Sequence, residues 1–175
     1  DYATLLCEKL YASHRPPDFL TVHLVDCDAM RHEHGVNSPE AFAAMKRLDA
    51  RVGRIVAAVK KAGLLDETVF CVVSDHGQQD APDGIPLDAW LRKACGARAQ
   101  SLGMGAYIFG EDLAAARRAL EENQRKWRIG RIYTPEDLRA MHAPEDVQLA
   151  VDAAPGACFI DDETITHGEH GFGLN

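Results

Sequence analysis

No run of apolar residues in this sequence approaches the ~20 needed to cross a bilayer as a helix. A membrane-spanning helix is therefore not expected, and the longest apolar stretches have the length of strands. Positive charge is scarce as well: the 175 residues carry a net charge of −8. Phosphate-backbone binding needs a clustered basic surface, so this balance argues against a nucleic-acid duplex as the main partner. It leaves room for a small phosphorylated substrate, because bound dications would be the largest local charges and would reverse the polarity of an acidic site. Paired cysteines are absent too. Cys7, Cys27, Cys71, Cys95 and Cys158 are odd in number and form no C-x-x-C pair. They read as buried, reduced thiols of an intracellular protein, with Cys71 inside an apolar run and Cys158 beside one. The chain opens at Asp1 without a Met, so its first residues say little about targeting. Internal repeats and low-complexity segments are missing. What remains is an ordinary globular composition, 46% hydrophobic and 26% charged, long enough to bury a core without disulfides.

Residues 1–15 read as a helix with Leu5, Leu6, Leu10 and Tyr11 on one side, stopped by Pro16-Pro17. FLTVHLV, residues 19–25, is apolar and β-branched and predicts a buried strand. A polar loop is expected from Asp26 to Ser38. Ser38 fits a helix N-cap, Pro39 the first turn and Gly63 the stop, with Met45, Leu48, Val52, Ile55, Val56 and Val59 at helical spacing. VFCVV, residues 69–73, predicts a second buried strand that ends at Ser74-Asp75-His76-Gly77. Strand, helix and strand in this order imply a right-handed parallel crossover, with chemistry beyond the carboxyl ends of the strands. Residues 86–145 read as an inserted lobe: a strand at 106–109, a helix at 113–127, a strand at 128–133 and a short helix capped by Thr134. A hairpin turning at Pro155-Gly156 is expected to join strands at 147–151 and 157–160.

Three separated segments combine His and carboxylate residues. They are Asp28-Ala29-Met30-Arg31-His32, then Asp75-His76-Gly77, then His170-Gly171-Phe172 with His167 just before it. Imidazole with carboxylate suits zinc, and also manganese or iron. Each segment alone is unspecific, since an Asp and a His four apart often form a surface pair. Together, at two expected strand ends and beside glycines that let neighbouring ligands converge, they point to a metal site. The remaining histidines have plainer readings: His14 at the surface, His23 hydrogen-bonded in the core, and His142 near a helix end. His34, Asp26 and His167 are candidates to support the ligands rather than bind, with His167 the fallback if His170 points away. Trp90 and Trp127 read as packing residues.

HLVDCDAMRHEHGVNSPE, VVSDHGQ and GEHGFGLN resemble, in order and spacing, three motifs of the alkaline phosphatase superfamily, closest to its nucleotide pyrophosphatase/phosphodiesterase branch. Gln78 stands where that family usually has Met, Phe172 where it has Tyr, and Gly173 where it has Asp. The resemblance implies part of an α/β/α sandwich, with residues 1–85 and 146–175 as a partial catalytic core and 86–145 as an α+β cap lobe. It further implies two divalent metals, zinc before manganese or iron. Asp28, His32 and His170 would hold one, and Asp75 and His76 would help hold the other. The substrate would be a nucleotide or other phosphodiester. In the family a Thr or Ser nucleophile and a further Asp ligand come from a Gly-rich strand-to-helix region. No such region precedes Asp18, so both are expected upstream of Asp1, and the 175 residues alone are expected to be inactive. Two alternatives stay open. One is a phosphonate hydrolase or phosphomonoesterase of the same superfamily. The other is a metal-binding fragment without turnover.

Overall fold

The computed structural model describes residues 1–161 and 168–170. His167, Gly171, Phe172 and Gly173 lie outside the described residues. The chain forms two compact units, Asp1–Asp75 and His76 onward. Its architecture is mixed α/β, as the sequence predicts.

The first unit is helical. α1 spans Tyr2–Tyr11, α2 Asp26–His34 and α3 Pro39–Lys61, followed by a 3-10 turn at Leu65–Glu67. α3 begins as read: the Ser38 hydroxyl accepts the Ala41 N–H at 3.1 Å and Pro39 occupies the first turn. Gly63, at φ +76, stands just beyond its end. α3 packs against α1 and α2 through small side chains, with Ala41, Ala44 and Val59 fully buried beside Thr4 and Cys7. Arg54 of α3 adds a clamp on α1, reaching Glu8 at 2.8 and 2.9 Å.

Five readings of this unit are corrected. The 26–38 segment is not a loop throughout, since its first nine residues form α2. Neither FLTVHLV nor VFCVV is a ladder-paired strand. Val69 and Val73 are each 87% exposed, and Cys71 is exposed rather than buried. A strand is stabilised by hydrogen bonds to a neighbour and by cover on its faces. Among the described residues of this unit no strand offers either. His23 is consequently exposed rather than a core histidine.

The second unit holds every strand among the described residues. In chain order it runs β1 (Gln79–Asp80), β2 (Asp83–Ile85), α4 (Leu87–Cys95), β3 (Arg98–Leu102), β4 (Gly105–Phe109), α5 (Leu113–Glu122), β5 (Ile129–Tyr133), α6 (Pro135–Ala140), β6 (Ala150–Ala153), β7 (Ala157–Phe159) and β8 (Gly168–Glu169). β3-β4-β6-β5 form an antiparallel sheet, β2 pairs with β7 in parallel, and β1 pairs with β8 antiparallel. Register and pleat separate two faces. Ala99, Ala106, Ile108 and Val151 join Leu91 of α4 and Leu120 of α5 in the main core, where Trp127 packs against Trp90 at 5.9 Å. Tyr133 and Ala150 face the other way, against Leu138 of α6 and Val147. Tyr133 is buried there, and its hydroxyl donates to Asp152 at 2.5 Å.

The hairpin expected at Pro155-Gly156 is a turn between two sheets instead. The Ala157 N–H donates to the Ala154 carbonyl at 3.0 Å and Gly156 has φ +80, the pattern of a type II turn with Pro at its second position. Type II turns splay the flanking strands rather than matching their twist, so β6 goes to the four-stranded sheet and β7 to β2. α5 also ends at Glu122, short of Trp127.

Two substitutions gauge these supports by urea unfolding. Leu120→Ala removes a fully buried side chain and should cost about 2–5 kcal/mol. Thr134→Ala breaks the capping box in which Thr134 and Asp137 hold each other's backbone N–H, and should cost about 1 kcal/mol.

Candidate functional site

α2 orders the first pair of candidate ligands. Asp26 and Asp28 lie in its first turn and Arg31, His32 and His34 in its last, charges that complement the helix dipole. Gly35, at φ +97, closes it. Asp28 and His32 stand one turn apart on one face, with His32 Nε2 3.3 Å from Asp28 Oδ1. His34 Nε2 lies 3.7 Å from Glu33.

Asp26 is engaged elsewhere. Arg47 donates to both its oxygens at 2.8 and 3.0 Å, and Arg51 approaches at 3.0 Å. The Arg47 hydrogen bond, helped by both guanidinium charges, holds this carboxyl below the ordinary Asp range against the opposing effect of burial. The cluster ties α2 to α3 and so fixes the helix that carries Asp28 and His32. At the end of the first unit, Asp75 Oδ2 lies 3.7 Å from His23 Nε2, both side chains largely exposed.

In the second unit, His76 and His170 come together from opposite ends of that unit's sequence. Their rings stack with centroids 3.9 Å apart and planes 28° apart. The β1–β8 ladder does this: it pairs Gln79 with Glu169 and Asp80 with Gly168, and His170 follows β8 directly. His76 Nδ1 lies 3.1 Å from the Gly77 carbonyl oxygen. A proton on Nδ1 leaves Nε2 with the lone pair a metal needs. Glu169, only 9% exposed, is a further candidate that the motif spacing does not single out. The signal was present, a carboxylate between Gly168 and His170. His167 lies outside the described residues.

Within each unit, then, the structure joins Asp28 to His32, Asp75 to His23, and His76 to His170. Asp28, His32, His76, Glu169 and His170 carry donor atoms of the kind that hold a divalent ion. Imidazole nitrogen with carboxylate oxygen fits zinc, manganese or iron.

This chain belongs to the type I phosphodiesterase / nucleotide pyrophosphatase family, whose model matches residues 3–172. Among sequence relatives it is 37% identical over 88 residues to alkaline phosphatase PhoD of Zymomonas mobilis, covering 50% of this chain and 15% of that protein. It is 34% identical over 67 residues to mouse ectonucleotide pyrophosphatase/phosphodiesterase family member 1, covering 38% of this chain and 7% of that one. Among solved structures, murine ectonucleotide pyrophosphatase/phosphodiesterase 5 superposes with a TM-score of 0.74 at 20% identity, over 97% of this chain and 47% of that chain. The likeness shows an alkaline-phosphatase-like α/β fold, and this chain spans about half of that neighbour. An inactive form of the same murine protein, in complex with AMP, superposes equally well.

The Asp26 cluster generates a pH prediction. A carboxyl whose folded pKa is depressed contributes stability above its unfolded pKa of about 3.9, and that contribution is lost as pH falls through the folded value. The first unit should therefore lose stability below about pH 4, and Asp26→Asn should flatten that acid limb while lowering the plateau at neutral pH. Urea midpoints of both proteins across pH 2–7 check this. Parallel curves would contradict it.

Proposed function

We propose that this chain supplies metal-holding residues of a phosphoric-ester hydrolase of the phosphodiesterase/nucleotide pyrophosphatase type. The observation that supports it most is the stacked pair His76 and His170, distant in sequence and adjacent in space, in a chain whose family match runs through both. In this reading Asp28, His32 and His170 hold one divalent ion and Asp75 and His76 help hold a second. Zinc is the first choice for both, with manganese and iron as the other candidates. The ions would polarise the phosphoryl oxygens and offset charge that develops during in-line displacement. The chain's own residues orient and support these ligands. The 3.3 Å contact with Asp28 fixes the His32 ring, Asp26 anchors their helix, and the Gly77 carbonyl selects the His76 tautomer.

The nucleophile, a Thr or Ser, is expected upstream of Asp1 and would form the covalent phosphoryl intermediate. Residues 1–85 and 146–175 would act as catalytic core, and 86–145 as a cap lobe whose sheet β6 completes. A nucleotide or other small phosphodiester is the proposed substrate class, in line with the AMP bound by the murine neighbour. A phosphomonoester is the second reading, favoured by the likeness to alkaline phosphatase PhoD.

Hydrolysis of a p-nitrophenyl phosphodiester and the matching monoester, by protein extended upstream of Asp1 and loaded with zinc, decides between them. The diester should turn over faster, and faster monoester turnover would favour the second reading. Asp75→Asn should abolish most turnover with an unchanged circular dichroism spectrum, and retained activity would refute the ligand assignment. The 175-residue chain alone should show no meaningful turnover of either ester; rates comparable with the extended protein would mean that the nucleophile lies within it.

A further inference from the structure

The tight turn between β3 and β4 consists of Gly103 and Met104, closing the Leu102–Gly105 pair. Gly103 has φ +76 and Met104 is not among the positive-φ residues, the sign pattern of a type II′ hairpin turn. This turn does more than reverse the chain. The Met104 N–H donates to the His170 carbonyl at 2.9 Å, and the Met104 carbonyl accepts the Ala153 N–H at 2.8 Å. The Gly103 carbonyl accepts the Phe159 N–H, also at 2.8 Å. The Met104 side chain is buried with Ala81 and Cys158, and its sulfur receives Gln79 Nε2 at 3.0 Å. Gln79 is in β1, directly opposite Glu169 of β8. One two-residue turn thus holds the strand that follows His76 and the residue His170 itself. The fit has no slack at Gly103, where an added Cβ would stand 2.5 Å from Glu169 Oε2 and 2.9 Å from the His170 carbonyl oxygen.

We propose that Gly103 and Met104 are positioning residues for the His76–His170 pair: the turn fixes the ring-on-ring geometry from which each imidazole meets its own divalent metal. The metal part of this inference rests on the function proposed above. The positioning part rests on unit geometry alone. At position 103 the residue must accept positive φ and also carry no Cβ, because both the Glu169 carboxylate and the His170 backbone close over it. Met104 acts through its backbone N–H and its sulfur. Met104→Leu keeps the N–H and nearly the same volume while removing the sulfur acceptor.

The test separates strain from positioning with a matched control. Gly96 lies in the same unit at the same φ of +76, and nothing stands within 4 Å of an added Cβ. Gly96→Ala therefore introduces backbone strain without displacing β8. Imidazole resonances of His76 and His170 are recorded in the metal-free chain by NMR of histidine-labelled protein. Zinc affinity is measured by competition with a chromophoric chelator. Gly103→Ala should move both sets of resonances and weaken zinc binding by about 10–100-fold, the usual cost of disturbing a ligand's support. Gly96→Ala should do neither, and Met104→Leu, which keeps the amide but removes the sulfur, should move the His76 resonances while leaving those of His170 close to wild type. Should Gly103→Ala fail to fold, Gly103→Asn keeps the Cβ clash and tolerates positive φ better. Resonances and zinc affinity in the Gly103 variant equal to those of Gly96→Ala would overturn the inference. Shifted resonances with unchanged zinc affinity would overturn its metal part. His170→Ala tests the ligand assignment separately: wild-type zinc affinity there removes His170 from the metal while the resonances still decide what positions it.

Discussion

Among the described residues, a single backbone hydrogen bond, from the Met104 N–H to the His170 carbonyl, joins the hairpin of the four-stranded sheet to the end of β8. The β3–β4 hairpin and the β1–β8 ladder meet there. β3 and β4 are held in register by the main core beneath Ala99, Ala106 and Ile108, so their turn has little freedom. β1 and β8 are two residues each, far too short to be stable as an isolated ladder. They persist because the turn braces them from the side, through the Met104 amide and through its sulfur. The stacking of His76 on His170 is the consequence, and the proposed ligands stand at the end of a packed sheet rather than on a free loop.

The first unit solves the same problem with charge. α2 buries none of its residues fully and has little apolar surface with which to dock. Its place is set by the carboxylate of Asp26 between Arg47 and Arg51 of α3, with the long helix itself held to α1 through Arg54. Isolated surface pairs contribute about 0–1 kcal/mol, but a carboxylate shared by two guanidiniums loses less side-chain freedom per contact. The helix ends also suit their charges, acidic first and basic last. Asp28 and His32 take their one-turn spacing from the helix that this arrangement holds in place.

Sequence signals reached the parts of the molecule where local chemistry decides structure. Ser38-Pro39 and Gly63 bracket α3, and Thr134-Pro135 opens α6, because caps and stops act over a few residues. The candidate ligands Asp28, His32, Asp75, His76 and His170 were legible as residue types near glycines. Where they stand was less so. α2 looked like a loop because it lacks an apolar stripe, and its only helical signature is the order of its charges. FLTVHLV and VFCVV have strand composition, but a ladder depends on partners that composition does not specify. The turn at Pro155-Gly156 was visible, yet its type, which sends β6 and β7 to different sheets, depends on backbone dihedrals. Gly103 has no signal in the sequence, because its significance lies in the nearness of Glu169 and His170.

His76 and His170, with Asp28, His32 and Asp75, are the proposed metal ligands. An anomalous difference map collected at the zinc absorption edge from crystals of the zinc-loaded protein tests that assignment most directly. A zinc peak is expected about 2.0–2.1 Å from a nitrogen of His170 and another at that distance from a nitrogen of His76. Zinc peaks confined to other histidines, or none at either of these two rings in a fully loaded crystal, would contradict it.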